Sequence, residues 1–131
     1  MMLKERTKLS EKTSSAILAV SDLDRARRFY AETLGLEPAG DMEEVLSFRT
    51  GSTTFMIYTS QFAGTNKANA LVWDAGSDFD TIVAELRERD ISFEEYPDMG
   101  MEIADGVHSS GDFKAVWFKD PDGNILHVNS M

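Results

Sequence analysis

The chain has no cysteine, few histidines, few basic residues and no long hydrophobic run. Its 131 residues include two His and 13 Lys+Arg against 23 Asp+Glu, which gives a formal net charge of -10. Without cysteine there can be no disulfide framework, thiolate nucleophile, iron–sulfur cluster or cysteine-based zinc site. The acidic excess repels phosphate backbones, and no apolar stretch approaches the ~20 residues that cross a bilayer. We therefore expect neither a nucleic-acid partner nor a membrane partner.

The first 13 residues, MMLKERTKLSEKT, are polar and basic. They lack the apolar core and small-residue cleavage site of a secretory signal, so we expect a cytoplasmic protein. Residues 1–13 are interpreted as a flexible leader, with an arm docked on the domain as the alternative. Residues 14–131 have the length of a single domain.

That domain contains an internal repeat. Residues 21–24 (Ser-Asp-Leu-Asp) and 77–80 (Ser-Asp-Phe-Asp) each open a segment with apolar residues at helical spacing, and in each the Ser lies three residues before an Asp. This spacing is a variant of the capping box at a helix start. Gly35 and Asp90 are the expected ends of the two helices, because both can adopt the left-handed conformation that closes a helix.

Extended segments surround each predicted helix. A short apolar strand precedes it (residues 16–20 and 70–73), a short strand follows (36–39 and 93–96), and a hairpin ends each half (45–58 and 115–128). The chain thus divides into β-α-β-β-β modules at about residues 14–60 and 69–131, joined by residues 61–68. Residues 97–112 are the only long loop, and we expect them to form a lid, since long loops in small domains are often functional.

Two motifs carry a family resemblance. Residues 20–36, which begin Val-Ser-Asp-Leu-Asp-Arg-Ala-Arg-Arg-Phe-Tyr, and residues 118–124, Phe-Lys-Asp-Pro-Asp-Gly-Asn, resemble the glyoxalase / bleomycin resistance protein / extradiol dioxygenase superfamily, also called vicinal oxygen chelate proteins. The resemblance implies an α+β fold. Its two βαβββ modules would form a cupped, half-open mixed β-barrel with helices on the outside, a ligand in the cup and often a homodimer. The Asp-Pro-Asp-Gly-Asn stretch itself has the composition of a tight turn, so we assign it a structural role.

Enzymes of this superfamily hold a divalent metal with His, Glu or Gln at the start of the first strand and in the last strand of each module. Counted from the motifs, these places fall on Ser15, Met56, residues 69–71 and His127. Only His127 is a ligand type that suits such a metal. We therefore expect no metal and no cofactor, which argues against the metal-dependent activities of the superfamily.

Strand alternation predicts which side chains face the cup. The expected ligand-binding residues are Ser15, Met56, Tyr58, Trp117 and His127, a soft and aromatic set that suits a planar ligand. The alternative is that some of them pack at an interface. Trp73 has no assigned face. The residues expected under the helices are Ala16, Leu18, Val20, Phe55, Ile57, Val116, Phe118, Leu126 and Val128.

Three functions are compatible with these residues. The first is a small-molecule-binding protein that sequesters a hydrophobic or planar ligand in the cup. The alternative is a divergent lyase, isomerase or dioxygenase in which His127 acts with His108 or a non-standard metal site, or alone as an acid/base catalyst. The third is a structural or regulatory module whose cup is filled by side chains.

Overall fold

The computed structural model describes residues 5–42 and 44–131. Within them lie two α-helices, α1 (Leu23–Arg27) and α2 (Phe79–Glu88), and nine strands. The strands are β1 (Ile17–Val20), β2 (Glu37–Pro38), β3 (Val45–Thr50), β4 (Thr53–Thr59), β5 (Asn69–Asp74), β6 (Glu102–Ala104), β7 (Val107–Ser110), β8 (Phe113–Lys119) and β9 (Ile125–Asn129). None of the helices in these residues is long and apolar enough to span a membrane.

Each module builds its own open, mixed sheet. The first sheet has the order β1-β4-β3-β2 and the second β5-β9-β8-β7-β6. In each, the strand before the helix runs parallel to the last strand of the module, while the remaining neighbours are antiparallel. The predicted α+β fold with two modules is therefore confirmed.

The helix starts differ from the predicted capping boxes. The side chain of Asp22, rather than Ser21, accepts a hydrogen bond from Arg25 N at 3.1 Å and caps α1. The start of α2 has no side-chain cap and is preceded by a 3₁₀ turn, Gly76–Asp78. The predicted ends are found, because Gly35 has φ 71° and Asp90 has φ 61°. Between α1 and Gly35 the chain continues as a π-helix, Arg28–Thr33.

The second module departs from prediction after α2. Residues 93–96 form no strand, although Glu94 N donates to Trp117 O at 2.7 Å. The expected lid over residues 97–112 is also wrong, because this stretch contains β6 and β7. Asp105 and Gly106 both have positive φ and turn the chain between these strands. An Asp-Gly pair is a strong signal for a hairpin turn. The sequence therefore contained the information needed to predict this hairpin.

One hydrophobic core joins both sheets and both helices. Its fully buried members include Leu18, Val20, Phe55, Ile57, Val116, Phe118, Leu126 and Val128. Ala16, expected with them, lies just before β1 and is exposed. Trp73 packs against this core, since it is in register with Val128.

A polar network, buried at Tyr30 and Asp120 and exposed at Ser21, connects the modules at the two family motifs. Tyr30 Oη donates to Asp120 Oδ2 at 2.6 Å. Asn124 Nδ2 donates to Ala19 O at 2.8 Å, and Ser21 Oγ donates to Asp122 Oδ1 at 2.6 Å. The Asp-Pro-Asp-Gly-Asn turn therefore fixes the position of the second module relative to the start of the first.

Candidate functional site

The most prominent feature of the concave side is a stacked aromatic pair on the second sheet. Trp117 and His127 are direct neighbours in the register of β8 and β9. Their ring centroids lie 4.5 Å apart with an angle of 17° between the planes. Both side chains point away from the helices and are buried, with 5% and 8% of their surface exposed.

Tyr96 and His108 extend this pair into a cluster of four rings. Tyr96 meets Trp117 edge-on at 5.5 Å, and His108 does so at 4.9 Å. His108 is fully buried, and its Nε2 accepts a hydrogen bond from Tyr96 N at 2.9 Å. Its Nδ1 lies 3.2 Å from Gly106 O, so the proton of the neutral ring is on Nδ1. Both ring nitrogens of His108 are therefore already engaged.

The environment of His127 favours an uncharged ring. Burial lowers its pKa from the usual value, against smaller opposing effects of the Val116 carbonyl and Asp74. His127 Nδ1 lies 3.2 Å from Val116 O, and its Nε2 lies 3.4 Å from Asn129 Nδ2. The ring thus donates through Nδ1 and presents Nε2 as an acceptor. At neutral pH this part of the concave face is polar but not cationic.

The concave face of the first sheet is more open. Met56 and Tyr58 alternate along β4 on the side away from the helices, next to Ile17 and Ala19 of β1. Ile17 is 56% exposed and Tyr58 is 37% exposed. Ser15 is exposed and lies just before β1. The predicted set is thus divided, with Met56 and Tyr58 on one sheet and Trp117 and His127 on the other.

A groove lies where the two sheets adjoin. It encloses about 280 Å³, and its lining includes Ile17, Tyr58, Phe62, Asn69 and Ala70. Asn69 and Ala70 come from β5, while Phe62 comes from the segment between the modules. On β5, Val72 is 54% exposed and is the register neighbour of His127. The groove therefore combines exposed apolar side chains with the amides of Asn66, Asn69 and Asn124.

The four family positions for metal ligands do not form a metal site. Over residues 5–42 and 44–131, no three His, Asp or Glu side chains come close enough to hold an ion. Ser15 and Met56 are poor ligands for the metals concerned, and His108 would have to give up one of its two hydrogen bonds to bind a metal together with His127. The residues present do not fit the metal centre of the superfamily.

Tyr96, Met101 and Phe62 contribute to this region but were not among the predicted site residues. Tyr96 and Met101 pack against the cluster of Ala115, Trp117 and Ile125. They were assigned to a strand and a loop, and only a correct position for the Asp105-Gly106 hairpin would have placed them here. Phe62 lies in the linker between the modules. This segment has no hydrophobic periodicity from which the position of the side chain could be predicted.

Comparison with known proteins identifies the fold family. The model of the glyoxalase/bleomycin resistance protein/dioxygenase superfamily matches residues 12–128. No curated protein sequence gives a significant match.

Several solved structures are similar over most of the chain. A glyoxalase family protein from Enterococcus faecalis is 22% identical with a TM-score of 0.65, covering 92% of this chain and 98% of that one. A glyoxalase/bleomycin resistance protein/dioxygenase from Alicyclobacillus acidocaldarius is 16% identical with a TM-score of 0.69, covering 90% and 89%. The fosfomycin resistance protein FosX from Mesorhizobium loti is 13% identical with a TM-score of 0.65, covering 92% of each chain. At these identities the likeness concerns the fold alone.

Proposed function

Because the chain belongs to the glyoxalase/bleomycin resistance protein/dioxygenase superfamily, we propose that it binds a hydrophobic or planar small molecule on its concave side without a metal. The observation that carries the proposal is a groove with the exposed side chains of Ile17, Tyr58 and Phe62 and a few asparagine amides, next to a sheet that holds a buried aromatic cluster. Such a combination of apolar walls and a few placed polar groups is typical of ligand sites.

The groove supplies the contact area. Ile17, Tyr58 and Phe62 are 56%, 37% and 67% exposed, so a ligand can still remove much of their surface from water. Each square ångström of apolar surface removed from water contributes about 25 cal/mol. A planar ligand that fills the groove would gain this energy and stack on the Tyr58 ring.

The aromatic cluster supplies a rigid wall and one kind of polar group, the neutral imidazole of His127. Trp117 is held between His127 and Tyr96, so its ring is already ordered before a ligand arrives. His127 is favoured in the neutral form, and the chain has a net charge of -10. These features favour an uncharged or cationic ligand over an anion, because the protein field repels negative charge.

Fluorescence titration with a library of planar aromatic compounds tests the proposal. The chain has two tryptophans, so a Trp73→Phe protein reports from Trp117 alone. We expect a saturable change in emission for the ligands that bind. Tyr58→Ala should weaken their binding by ~0.5–1.5 kcal/mol for the lost stacking, plus lost burial. Leu9→Ala, at a residue that is 79% exposed and does not line the groove, should leave the affinity unchanged.

Variants of the cluster give the second part of this test. Trp117→Ala and His127→Ala, followed through thermal stabilisation by the ligand, should weaken binding by less than Tyr58→Ala does, because both rings are buried and support the site rather than line the groove. Ligands insensitive to Tyr58→Ala, Trp117→Ala and His127→Ala would contradict the concave site.

The metal-dependent alternative is tested by elemental analysis after native purification. We expect less than stoichiometric iron, manganese, nickel and zinc, because only His127 among the family positions is a suitable ligand. About one tightly held divalent metal per chain would favour a divergent lyase, isomerase or dioxygenase instead.

A further inference from the structure

A second cavity lies on the opposite side of the second sheet, under the helices. It encloses about 330 Å³ between the end of the π-helix and α2, and we call it the helix-side cavity. The sheet contributes Trp73, Phe118 and Val128. The remaining lining residues are Leu34, Gly35, Leu36, Ile82, Glu85, Leu86 and Arg89. It is therefore an apolar space with two charged side chains, separated by the sheet from the concave face.

The positive charge in this cavity is already engaged. Arg89 Nη1 donates to Thr33 O at 3.0 Å and to Glu32 O at 3.3 Å, at the end of the π-helix. Terminal carbonyls of a helix carry partial negative charge, which stabilises a cation placed there. A Cβ at Gly35 would lie 3.1 Å from Arg89 Nη1, so the bare backbone at this position leaves room for the guanidinium.

The negative charge in the cavity is not engaged. Glu85 lies four residues before Arg89 on α2, the spacing at which a Glu and an Arg often pair. Arg89 instead reaches the carbonyls of the first module, and Glu85 forms no ion pair among the described residues. Glu85 is exposed, so its carboxylate lies at the open side of an otherwise apolar cavity with an aromatic wall, where a bound cation can reach it.

We propose that the helix-side cavity binds a small arylalkyl ammonium ion, with its apolar body against Trp73, Ile82 and Phe118 and its ammonium group at Glu85. The net charge of -10 attracts cations to the protein, and the Trp73 ring can contribute a cation–π contact. This site is independent of the proposed ligand site on the concave face.

The test uses three probes of similar shape and different charge: 2-phenylethylammonium, 2-phenylethanol and 3-phenylpropionate. In a Trp117→Phe protein, Trp73 is the only tryptophan, so its emission reports on this cavity. We expect a saturable change, with the cation bound about two- to fivefold more tightly than the alcohol and the anion bound weakest.

Two substitutions on α2 separate a local contact from the general charge of the protein. Glu85→Gln should bring the affinities for cation and alcohol together. Glu88→Gln removes the same charge from the same helix at a position outside the cavity lining, and it should leave the preference for the cation intact.

Four results would overturn the proposal. They are the absence of a saturable Trp73 response at millimolar probe, the tightest binding for the anion, an equal effect of the two glutamate variants, or a Trp117 response of equal affinity in a Trp73→Phe protein. The last result would place the ammonium probe on the concave face, and it would leave the proposed function standing while removing this site.

Discussion

The side chain of Tyr30 connects the core of the first module to the second module. Its ring packs against Phe29, Phe48 and Phe55, with centroids 5.1, 5.8 and 5.7 Å away. Its hydroxyl donates to the buried Asp120 of the other module. Burial raises the pKa of Tyr30 far above the usual range, and the Asp120 carboxylate raises it further. The phenol is therefore a neutral donor at the junction of the two modules.

We expect Tyr30→Phe to lower the free energy of unfolding by ~1–3 kcal/mol. The ring packing is kept, but a buried carboxylate oxygen loses a donor. Urea unfolding followed by circular dichroism measures the change. Tyr58→Phe is the matched control, because it removes a hydroxyl from an exposed strand position and should change stability by less than about 0.5 kcal/mol. Equal effects of the two variants would contradict the role of this hydrogen bond.

The free energy of unfolding of the same two variants should depend differently on pH in the alkaline range. A folded-state pKa raised above the unfolded value of about 10 means that the unfolded chain releases the proton first. The contribution of Tyr30 is then present below pH ~10 and is lost as pH rises, with a slope of up to about 1.4 kcal/mol per pH unit. We expect Tyr30→Phe to lose this part of the pH dependence and Tyr58→Phe to retain it.

At the scale of elements, the β6–β7 hairpin is the part of the fold that prediction missed. It adds two strands to the second sheet and brings His108 under Tyr96, where Nε2 accepts the backbone N–H. This hydrogen bond crosses from the hairpin to the segment that follows α2. A buried histidine with both nitrogens bonded therefore holds in place the residues that surround Trp117.

We expect His108→Ala to release this segment. The Tyr96 amide would lose its acceptor, and the cavity left by the ring would loosen the packing on Trp117. Hydrogen exchange read by mass spectrometry should rise over residues 94–110 while β3 and β4 keep their protection. Met99→Ala, at an exposed position in the same segment, should leave the exchange pattern as in the parent chain. Unchanged exchange in His108→Ala would refute the positioning role.

The repeat and the strand alternation made most of the architecture predictable. Helices, hairpins and the faces of Leu18, Phe55 and Val116 follow from local patterns that each module repeats. The strand at residues 93–96 was mispredicted because its apolar and aromatic residues indicate extended chain, and only tertiary competition decides whether such a stretch joins a sheet. Likewise, the burial of Trp117 depends on Tyr96 and Met101, whose positions follow from the hairpin rather than from strand parity.

At the scale of the whole molecule, unpaired edges and exposed apolar side chains lie together. β1 and β5 are each an edge strand of their sheet, and Ile17 and Val72 on them are more than half exposed. Edge strands of this kind pair readily with another chain unless they are covered. The net charge of -10 on each chain opposes such association at long range.

We therefore expect a homodimer whose stability increases with salt. Added salt screens the repulsion between two acidic chains but leaves apolar contacts in place. Light scattering at micromolar protein should give twice the chain mass, and the dissociation constant should fall as salt rises. A single chain mass at every salt concentration would refute the dimer.

The hydrogen bonds of Tyr30 and Ser21 to the turn that contains Asp120 and Asp122 form late during synthesis of the chain. Its partners are separated by 90 and 101 residues of chain. Contacts of such separation make folding slow, because the loop between them must close first. The first module emerges from the ribosome before the acceptors of Tyr30 and Ser21 exist. The aromatic packing of Tyr30, Phe48 and Phe55 lies within the first module and can form early, but we expect the module to reach its full stability only when the final hairpin has been translated.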